Sequence, residues 1–327
     1  MKTYTKLLSD YTSLTSNSET ANQTLGAIFI NDSIRTICNL QGGKLRFLES
    51  TTNMSTVASQ ETYQIPNKYR KLIDMYIYSG SGSSNDSIYA PEMVFDPLRW
   101  KTILQYRLGT QDVPYFTYVE NTSYKIQPIP ASTGNLIVLR GRLQIKDLTI
   151  ADYTTGTIVS IANGGTAVVG SGTTWTADMV GRYIQITETT AANGGDGMWY
   201  EIGSWTNSTT IGLTKPYEGT SISAATAAYT IGQVPIIPQA YQPAIIYRSV
   251  ALYWQQQTEL DKAKTYWLLY DGGMEAGYRD SYGGLIQQML DNEGETEEGS
   301  YLPPFGTTNN IMQAPYYFPY QLASGFN

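Results

Sequence analysis

The spacing of apolar residues along the chain changes twice, and each change predicts a different kind of structure. From Ser16 to Gln41 apolar residues recur every three to four positions, which predicts a long amphipathic helix. Ser16 followed by Glu19 has the pattern of a capping box, and Gly42-Gly43 provides a left-handed stop. The predicted apolar face comprises Leu25, Ile28, Phe29, Ile34, Ile37 and Cys38.

From Lys44 to Leu148 the chain consists of short runs rich in Tyr, Ile and Val, bounded by Pro, Gly, Asn and Ser, which is typical of strands. The tetrapeptide ENTS between two of them predicts a hairpin turn. One short helix interrupts the strands, with Asp96 as its cap, Pro97 in its first turn, and Trp100 and Leu104 on one face. The strand runs are ETYQIP, KLIDMYIYSG, PYFTYVE, SYKIQPIP and NLIVLRGRLQI.

From Thr154 to Ile231 short strand patterns alternate with Gly-rich turns, which indicates a small all-β barrel or sandwich. Trp175, Trp199 and Tyr200 are expected to supply much of its core. The predicted strands are TIVSI, TAVVG, YIQIT, MWYEI, TIGLT and AAYTI.

Helical spacing returns after the proline-rich joint 235–243, in two segments separated near Thr258, which predicts an antiparallel helix pair. The first face comprises Ile245, Ile246, Val250, Leu252 and Tyr253; the second comprises Leu260, Ala263, Tyr266, Trp267 and Tyr270.

The C-terminal part combines an acidic run, DNEGETEEG, with an uncharged stretch rich in proline and aromatic residues, Ser300 to Asn327. Proline denies this stretch a helix, and its aromatic content is high for a solvated tail. We therefore expect an extended arm that lies on another surface. Its expected interface residues are Tyr301, Phe305, Tyr316, Tyr317, Phe318, Tyr320 and Phe326.

Together these patterns predict an α+β fold in which a helical core carries a β layer, an inserted all-β barrel or sandwich and the extended arm. The core comprises the long N-terminal helix and the C-terminal helix pair. The expected division is 1–153 with 234–290 as the core, 154–233 as the inserted module, and 291–327 as the acidic tether and arm.

Composition then narrows the function. The net charge of −7 argues against a protein that binds nucleic acid through its phosphates. The 27 tyrosines favour a protein with interaction surfaces, because tyrosine is enriched at interfaces. The absence of histidine excludes His-based triads and His metal sites. The single cysteine, Cys38, sits at a helix core position and excludes an internal disulfide.

No enzymatic motif is found. The runs GSGTTW and NGGDG lack the Gly-Lys-Ser/Thr of a phosphate loop, and Asp196 alone cannot hold calcium. The sequence therefore predicts no catalytic, cofactor or metal site and no enzyme. The start MKTYTKLLSD has no secretory pattern and no apolar run reaches the length of a membrane span, so we expect a soluble protein made in a reducing compartment.

Two functions remain open. The first is a structural protein that works by assembling. The second is a carbohydrate-binding or adhesive module, as in a fibre, with exposed aromatic residues on the β domain. Terminal helices and an aromatic arm favour assembly, because a simple binding module needs neither.

The order of segments resembles the head–tail adaptor proteins, also called head completion or connector proteins, of short-tailed phages. The resemblance is carried by TLGAIFINDSIRTICNL, ETYQIPNKYRKLIDMYI, APEMVFDPLRWKTIL, VPYFTYVENTSYKIQPIPASTGNLIVLRGR, AIIYRSVALYW and DKAKTYW. The segment from GTIVSIANGG to LTKPYEG is similar to β modules within some phage proteins, and it departs from the smaller, mostly helical adaptors.

The resemblance implies a virion protein, assembled in the host cytoplasm, that forms a ring of about twelve copies beneath the portal. Its implied partners are the portal protein, a tail nozzle or tube protein, and neighbouring copies. The ring would join head to tail and let DNA pass through its centre, with a part in genome packaging and ejection.

Overall fold

The computed structural model describes residues 1–83, 86–105, 114–188, 195–272 and 284–293. Over these residues the fold is mixed α and β, as predicted. The helices are α1 (Tyr4–Thr15), α2 (Thr20–Cys38), α3 (Pro97–Gln105), α4 (Gln242–Gln256), α5 (Leu260–Asp271) and α6 (Leu285–Glu293).

The N- and C-terminal helices pack into one helical core. α4 packs against α1, α2 and α5, and α6 packs on α5. Polar pairs fix the contact between α2 and α4: the hydroxyls of Ser33 and Ser249 lie 3.0 Å apart, and Arg248 donates to Asp32 at 2.6 Å. The fully buried apolar side chains of this core include Leu7, Ile30, Ile34, Ile37, Cys38, Ile245, Val250 and Met289.

The predicted C-terminal helix pair is present, but the predicted start of the long N-terminal helix is wrong. The predicted pair α4 and α5 is confirmed, and the chain reverses at Thr258, whose φ is +61°. The capping box is wrong, because Ser16 is the left-handed C-cap of α1 and Glu19 makes no side-chain cap. The long helix therefore begins at Thr20, after a helix that the sequence reading missed.

The predicted end of α2 is also shifted. The helix ends at Cys38, and a 3₁₀ turn over Leu40–Gly43 follows, with left-handed φ at Gln41, Gly42 and Gly43. On the predicted apolar face, Cys38 is fully buried, whereas Ile28 is 58% exposed.

The β layer is a sandwich of two four-stranded sheets. One has the order β1-β8-β3-β4 and is antiparallel; the other has the order β2-β7-β6-β5, with β5 parallel to β6. The strands are β1 (Glu49–Ser55), β2 (Thr62–Gln64), β3 (Tyr69–Tyr78), β4 (Ile88–Tyr89), β5 (Glu92–Val94), β6 (Phe116–Glu120), β7 (Ser123–Gln127) and β8 (Leu136–Leu143).

The sandwich core is built from alternate residues of these strands. Tyr63 and Tyr124 stack with ring centroids 5.5 Å apart, and Ile77, Ile126 and Leu139 are fully buried beside them. All five predicted strand runs are strands, and the ENTS hairpin is confirmed by the pairing of Glu120 with Ser123.

The predicted short helix is α3, and its cap is confirmed, because Oδ1 of Asp96 accepts from the amide of Leu98 at 2.9 Å. Trp100 is buried and stacks on Tyr118 with centroids 5.4 Å apart. Leu104, expected on the same face, is 43% exposed, because Ile103 takes the inward position.

The segment expected to be all-β forms one seven-stranded antiparallel sheet that curls as a half-barrel around a single apolar core. Its order is β14-β9-β10-β13-β12-β11-β15. The strands are β9 (Thr157–Ile161), β10 (Ala167–Ser171), β11 (Tyr183–Ile186), β12 (Trp199–Asn207), β13 (Thr210–Leu213), β14 (Ile222–Ala227) and β15 (Tyr229–Gly232). Trp175 and Tyr200 are buried in this core, whereas Trp199 is only half-buried.

The half-barrel is tied to the helical core where the chain enters and leaves it. Tyr153 and Ile231 exchange two backbone hydrogen bonds of 2.8 Å. The hydroxyl of Thr3 donates to Asp152 at 2.7 Å, and the amide of Tyr4 donates to the carbonyl of Gln233 at 2.8 Å.

Candidate interaction surfaces

The described residues offer no arrangement for acid–base or metal chemistry. Within the described ranges there is no group of three His, Cys, Asp or Glu side chains that could hold a metal ion. Cys38 is fully buried, and this burial raises the pKa of its thiol to about 12, so it is not a reactive nucleophile. None of the helices in the described ranges is long and apolar enough to cross a membrane.

A groove lies where the helical core meets the sandwich. It consists of two adjoining cavities of about 430 and 440 Å³ that share Tyr69, Arg70 and Gln144. We call it the basic groove. Its other lining residues are Arg35, Asn39, Ile65, Pro66, Asn67, Lys71, Leu72, Phe95, Val119, Asn121, Thr122 and Ile145.

The fold brings these residues together from five separate segments, one of which is Phe95 directly after β5. Arg35 and Asn39 come from the end of α2, and residues 69–72 open β3. Gln144 follows β8 and is held there because its amide donates to the carbonyl of Lys68 at 2.7 Å. Asn121 lies at the β6–β7 turn, where its φ of +50° suits an asparagine.

The charge of the basic groove is opposite to that of the whole chain. Three cations line it, and no carboxylate is among the lining residues within the described ranges. Arg35 forms an ion pair with Asp147 just outside the lining, and Arg70 donates to the amide oxygen of Asn39 at 2.7 Å. Lys71 is exposed, so its ammonium is available to a ligand.

The basic groove also has an apolar end. Leu72 is buried, and Ile65 and Val119 are half-buried against the sandwich core. Phe95 lies beside them and is 60% exposed, which is a large aromatic area left in water. The groove therefore presents two guanidinium groups at the α2 end, and Lys71 beside apolar surface at the sandwich end.

A second surface lies on the helical core. Leu268 and Leu269 at the end of α5 are 43% and 44% exposed, and Leu260 at its start is 61% exposed. We call these three the α5 leucines. Leu14 and Ile28, on α1 and α2, are also exposed. These two apolar sets lie on different helices of the core, one on α5 and the other on α1 and α2.

A third exposed apolar set surrounds β4, β5 and α3 at one edge of the sandwich. Its members are Ile88, Tyr89, Phe95, Leu98, Leu104 and Tyr115, of which Leu98 is 75% exposed. In the half-barrel, Trp205 is 42% exposed, while Trp175 is buried, so Trp175 cannot stack on a sugar.

The seven aromatic residues predicted as the interface, from Tyr301 to Phe326, lie outside the described residues, so their role stays a prediction. The sequence reading missed the basic groove and the α5 leucines. Leu260 was predicted to face inward, but it is exposed. Leu268 and Leu269 could have been predicted to face outward, because they do not belong to the helix face that includes Tyr270.

Comparison with known proteins bears on the first half of the chain. No curated protein matches the sequence. Residues 2–163 match the family model described as SU10 adaptor protein, a range that covers α1 to α3, the whole sandwich and the start of the half-barrel. Through these residues the chain belongs to this family of phage head–tail adaptors.

Proposed function

We propose that the protein forms a ring beneath the portal, joins the capsid to the tail, and lines the channel through which DNA passes. The observation that carries the proposal is the family match over residues 2–163, since a phage adaptor is a structural component of the virion. We propose no catalytic role, because adaptors of this kind work by assembly.

The exposed apolar residues of the helical core support a ring. A ring requires a heterologous interface, in which one flank of a subunit contacts a different flank of the next. The α5 leucines provide one apolar flank, and Leu14 with Ile28 provides another. Covering the exposed part of these side chains removes apolar surface from water and so favours association between subunits.

The charge of the chain supports a channel role. With a net charge of −7, the protein makes few favourable contacts with DNA phosphates, and DNA can slide past it without being held. The half-barrel, attached through Tyr153 and Ile231, would project from the ring toward a tail protein or the outside.

The aromatic arm supplies the remaining contact. We propose that residues such as Tyr316, Tyr317 and Phe318 are buried on the portal or on a neighbouring copy, because leaving them in water would forfeit their burial energy. The copy number of twelve follows the family resemblance and is part of the proposal.

Negative-stain electron microscopy of the purified protein, alone and mixed with its portal, tests the proposal. Closed rings that stack on the portal are the expected result. Trimeric rods would instead support the tail-fibre alternative. Monomers that do not bind the portal would contradict the adaptor role.

A further inference from the structure

We propose that the basic groove binds a segment of the chain's own C-terminal part, residues 294–305, whose sequence is GETEEGSYLPPF. The proposal concerns the free subunit and holds whether or not a ring forms. It rests on the charge of the groove, on its apolar end, and on where the described chain ends.

The first argument is charge complementarity. Arg35, Arg70 and Lys71 line a groove that has no carboxylate among its described lining residues, in a chain that is acidic overall. The segment carries three carboxylates within four residues, at Glu295, Glu297 and Glu298. A carboxylate that accepts hydrogen bonds from a guanidinium or ammonium forms a stronger bond than two neutral partners do.

The second argument is the order of chemistry along both partners. At the α2 end the groove is lined by Arg35 and Arg70, and at the sandwich end by Lys71 and the apolar surface of Leu72, Val119 and Phe95. From its N-terminus, the segment changes from carboxylates to Tyr301 and Phe305. An extended chain that starts at Arg35 therefore meets matching chemistry at both ends.

The third argument is position. α6 ends at Glu293, and the side-chain amide of Asn292 donates to the hydroxyl of Tyr241, directly before α4, at 2.9 Å. α2 and α4 run antiparallel, as the contacts Ser33–Ser249 and Asn17–Tyr253 require. The start of α4, and with it the end of α6, therefore lies toward the C-terminal end of α2, where Arg35 and Asn39 line the groove.

The length of the segment suits this path. Extended chain covers about 3.3 Å per residue, so residues 294–299 can span roughly 20 Å before Tyr301 is reached. Pro303 and Pro304 favour the extended polyproline conformation, which reduces the entropy that binding must remove. Anchored in this way, the chain from residue 306 onward starts at the sandwich and reaches out from there to a partner.

The test attaches a fluorophore to the thiol introduced by Ser300→Cys in the full chain. Cys38 is buried with its thiol pKa raised to about 12, so the label goes to position 300 alone. Time-resolved anisotropy then reports how freely the label moves. We expect restricted motion in the parent chain and free motion in the variant Arg70→Glu/Lys71→Glu.

Charge reversal on the segment provides the decisive test. Adding Glu295→Lys, Glu297→Lys and Glu298→Lys to the Arg70→Glu/Lys71→Glu chain should restore restricted motion. A matched control, Lys215→Glu/Lys264→Glu, makes the same change in net charge at exposed positions away from the groove and should leave the label restricted. If the groove variant does not fold, Glu295→Gln/Glu297→Gln/Glu298→Gln in the parent chain should free the label by itself.

Three outcomes would overturn the proposal. The first is a label that moves freely in the parent chain. The second is a label whose motion is the same in the parent and groove variants. The third is restriction that disappears on dilution from micromolar to nanomolar protein, because that result assigns the occupant to a second copy.

Discussion

The indole Nε1 of Trp175 donates a hydrogen bond to the hydroxyl of Tyr229 at 3.0 Å, and the two rings meet edge to face with centroids 5.8 Å apart. The Tyr229 hydroxyl in turn donates to the carbonyl of Thr155 at 2.5 Å. These bonds join the beginning, middle and end of the half-barrel segment. Trp175 is 1% exposed, so the contact lies in the core.

A fragment spanning residues 154–233 is expected to fold by itself. The apolar core of the half-barrel is drawn almost entirely from this range, with Tyr153 packed at its margin. Far-ultraviolet circular dichroism and thermal melting of the fragment provide the measurement. A spectrum of disordered chain would contradict the division of the chain at these positions, which remains a prediction.

Replacement of Trp175 by alanine should destabilise the half-barrel by about 3–5 kcal/mol, because it leaves a large cavity and removes the donor to Tyr229. Urea denaturation of the variant measures the loss. Trp205→Ala is the matched control: Trp205 is 42% exposed, so its truncation should cost clearly less. Equal losses in the free energy of unfolding of the two variants would show that the burial of Trp175 does not determine how much its replacement destabilises the half-barrel.

Stability should fall in alkaline solution. Burial raises the pKa of Tyr11, Tyr124 and Tyr229 well above the ordinary value near 10, and that of Tyr270 to about 12. Above pH 10 the unfolded chain releases these protons while the folded chain keeps them. The stabilisation is therefore complete below about pH 10 and is lost as the pH rises through the folded-state values.

Urea denaturation at pH 8, 10 and 11 measures this loss, and absorbance at 295 nm reports tyrosine ionisation. We expect part of the tyrosine absorbance change to coincide with unfolding. Smooth ionisation of all 27 tyrosines near pH 10 in the folded protein would contradict the burial of these rings.

Ring formation should depend on the α5 leucines. Leu268→Glu/Leu269→Glu places two charges on a surface that we propose to be covered by a neighbour, which should convert rings to monomers in sedimentation velocity. Both side chains are more than 40% exposed, so the helix itself should persist. Val180→Glu/Met198→Glu in the half-barrel, at side chains that are 44% and 59% exposed, is the control and should leave the rings intact; if Leu268→Glu/Leu269→Glu also forms rings, the interface lies elsewhere.

A chain that ends at Glu293 should fold normally and bind portal rings far more weakly than the full chain. The cut belongs after Glu293 because α6 extends to that residue, and Met289 on α6 is fully buried in the helical core. Co-sedimentation with portal rings provides the measurement. Undiminished binding by the shortened chain would place the anchor outside the arm.

The strands and the paired helices could be predicted because their information is local. Alternating residues between turn signals identified β6 and β7, and the turn at Asn121 was recognisable in ENTS. β1 could not be predicted from its own polar sequence, ESTTNMS. It is a strand because all of its residues, from Glu49 to Ser55, pair with β8 between Arg142 and Leu136.

The candidate surfaces were harder to predict, since they arise from distant segments. Arg35, Arg70 and Asn121 become neighbours only when α2, β3 and the β6–β7 turn meet. The overall acidity of the chain also concealed the local excess of cations. α1 was missed because its buried residues, Leu7 and Tyr11, are too few to establish a helical period.

The paired backbones of Tyr153 and Ile231 have an evolutionary consequence. Opposite residues of an antiparallel pair have Cα atoms about 5 Å apart, so excision of the chain between them leaves two ends that a tight turn can join. A phage genome can therefore gain or lose the half-barrel in a single recombination event, while the sandwich and the helices on either side keep their own packing.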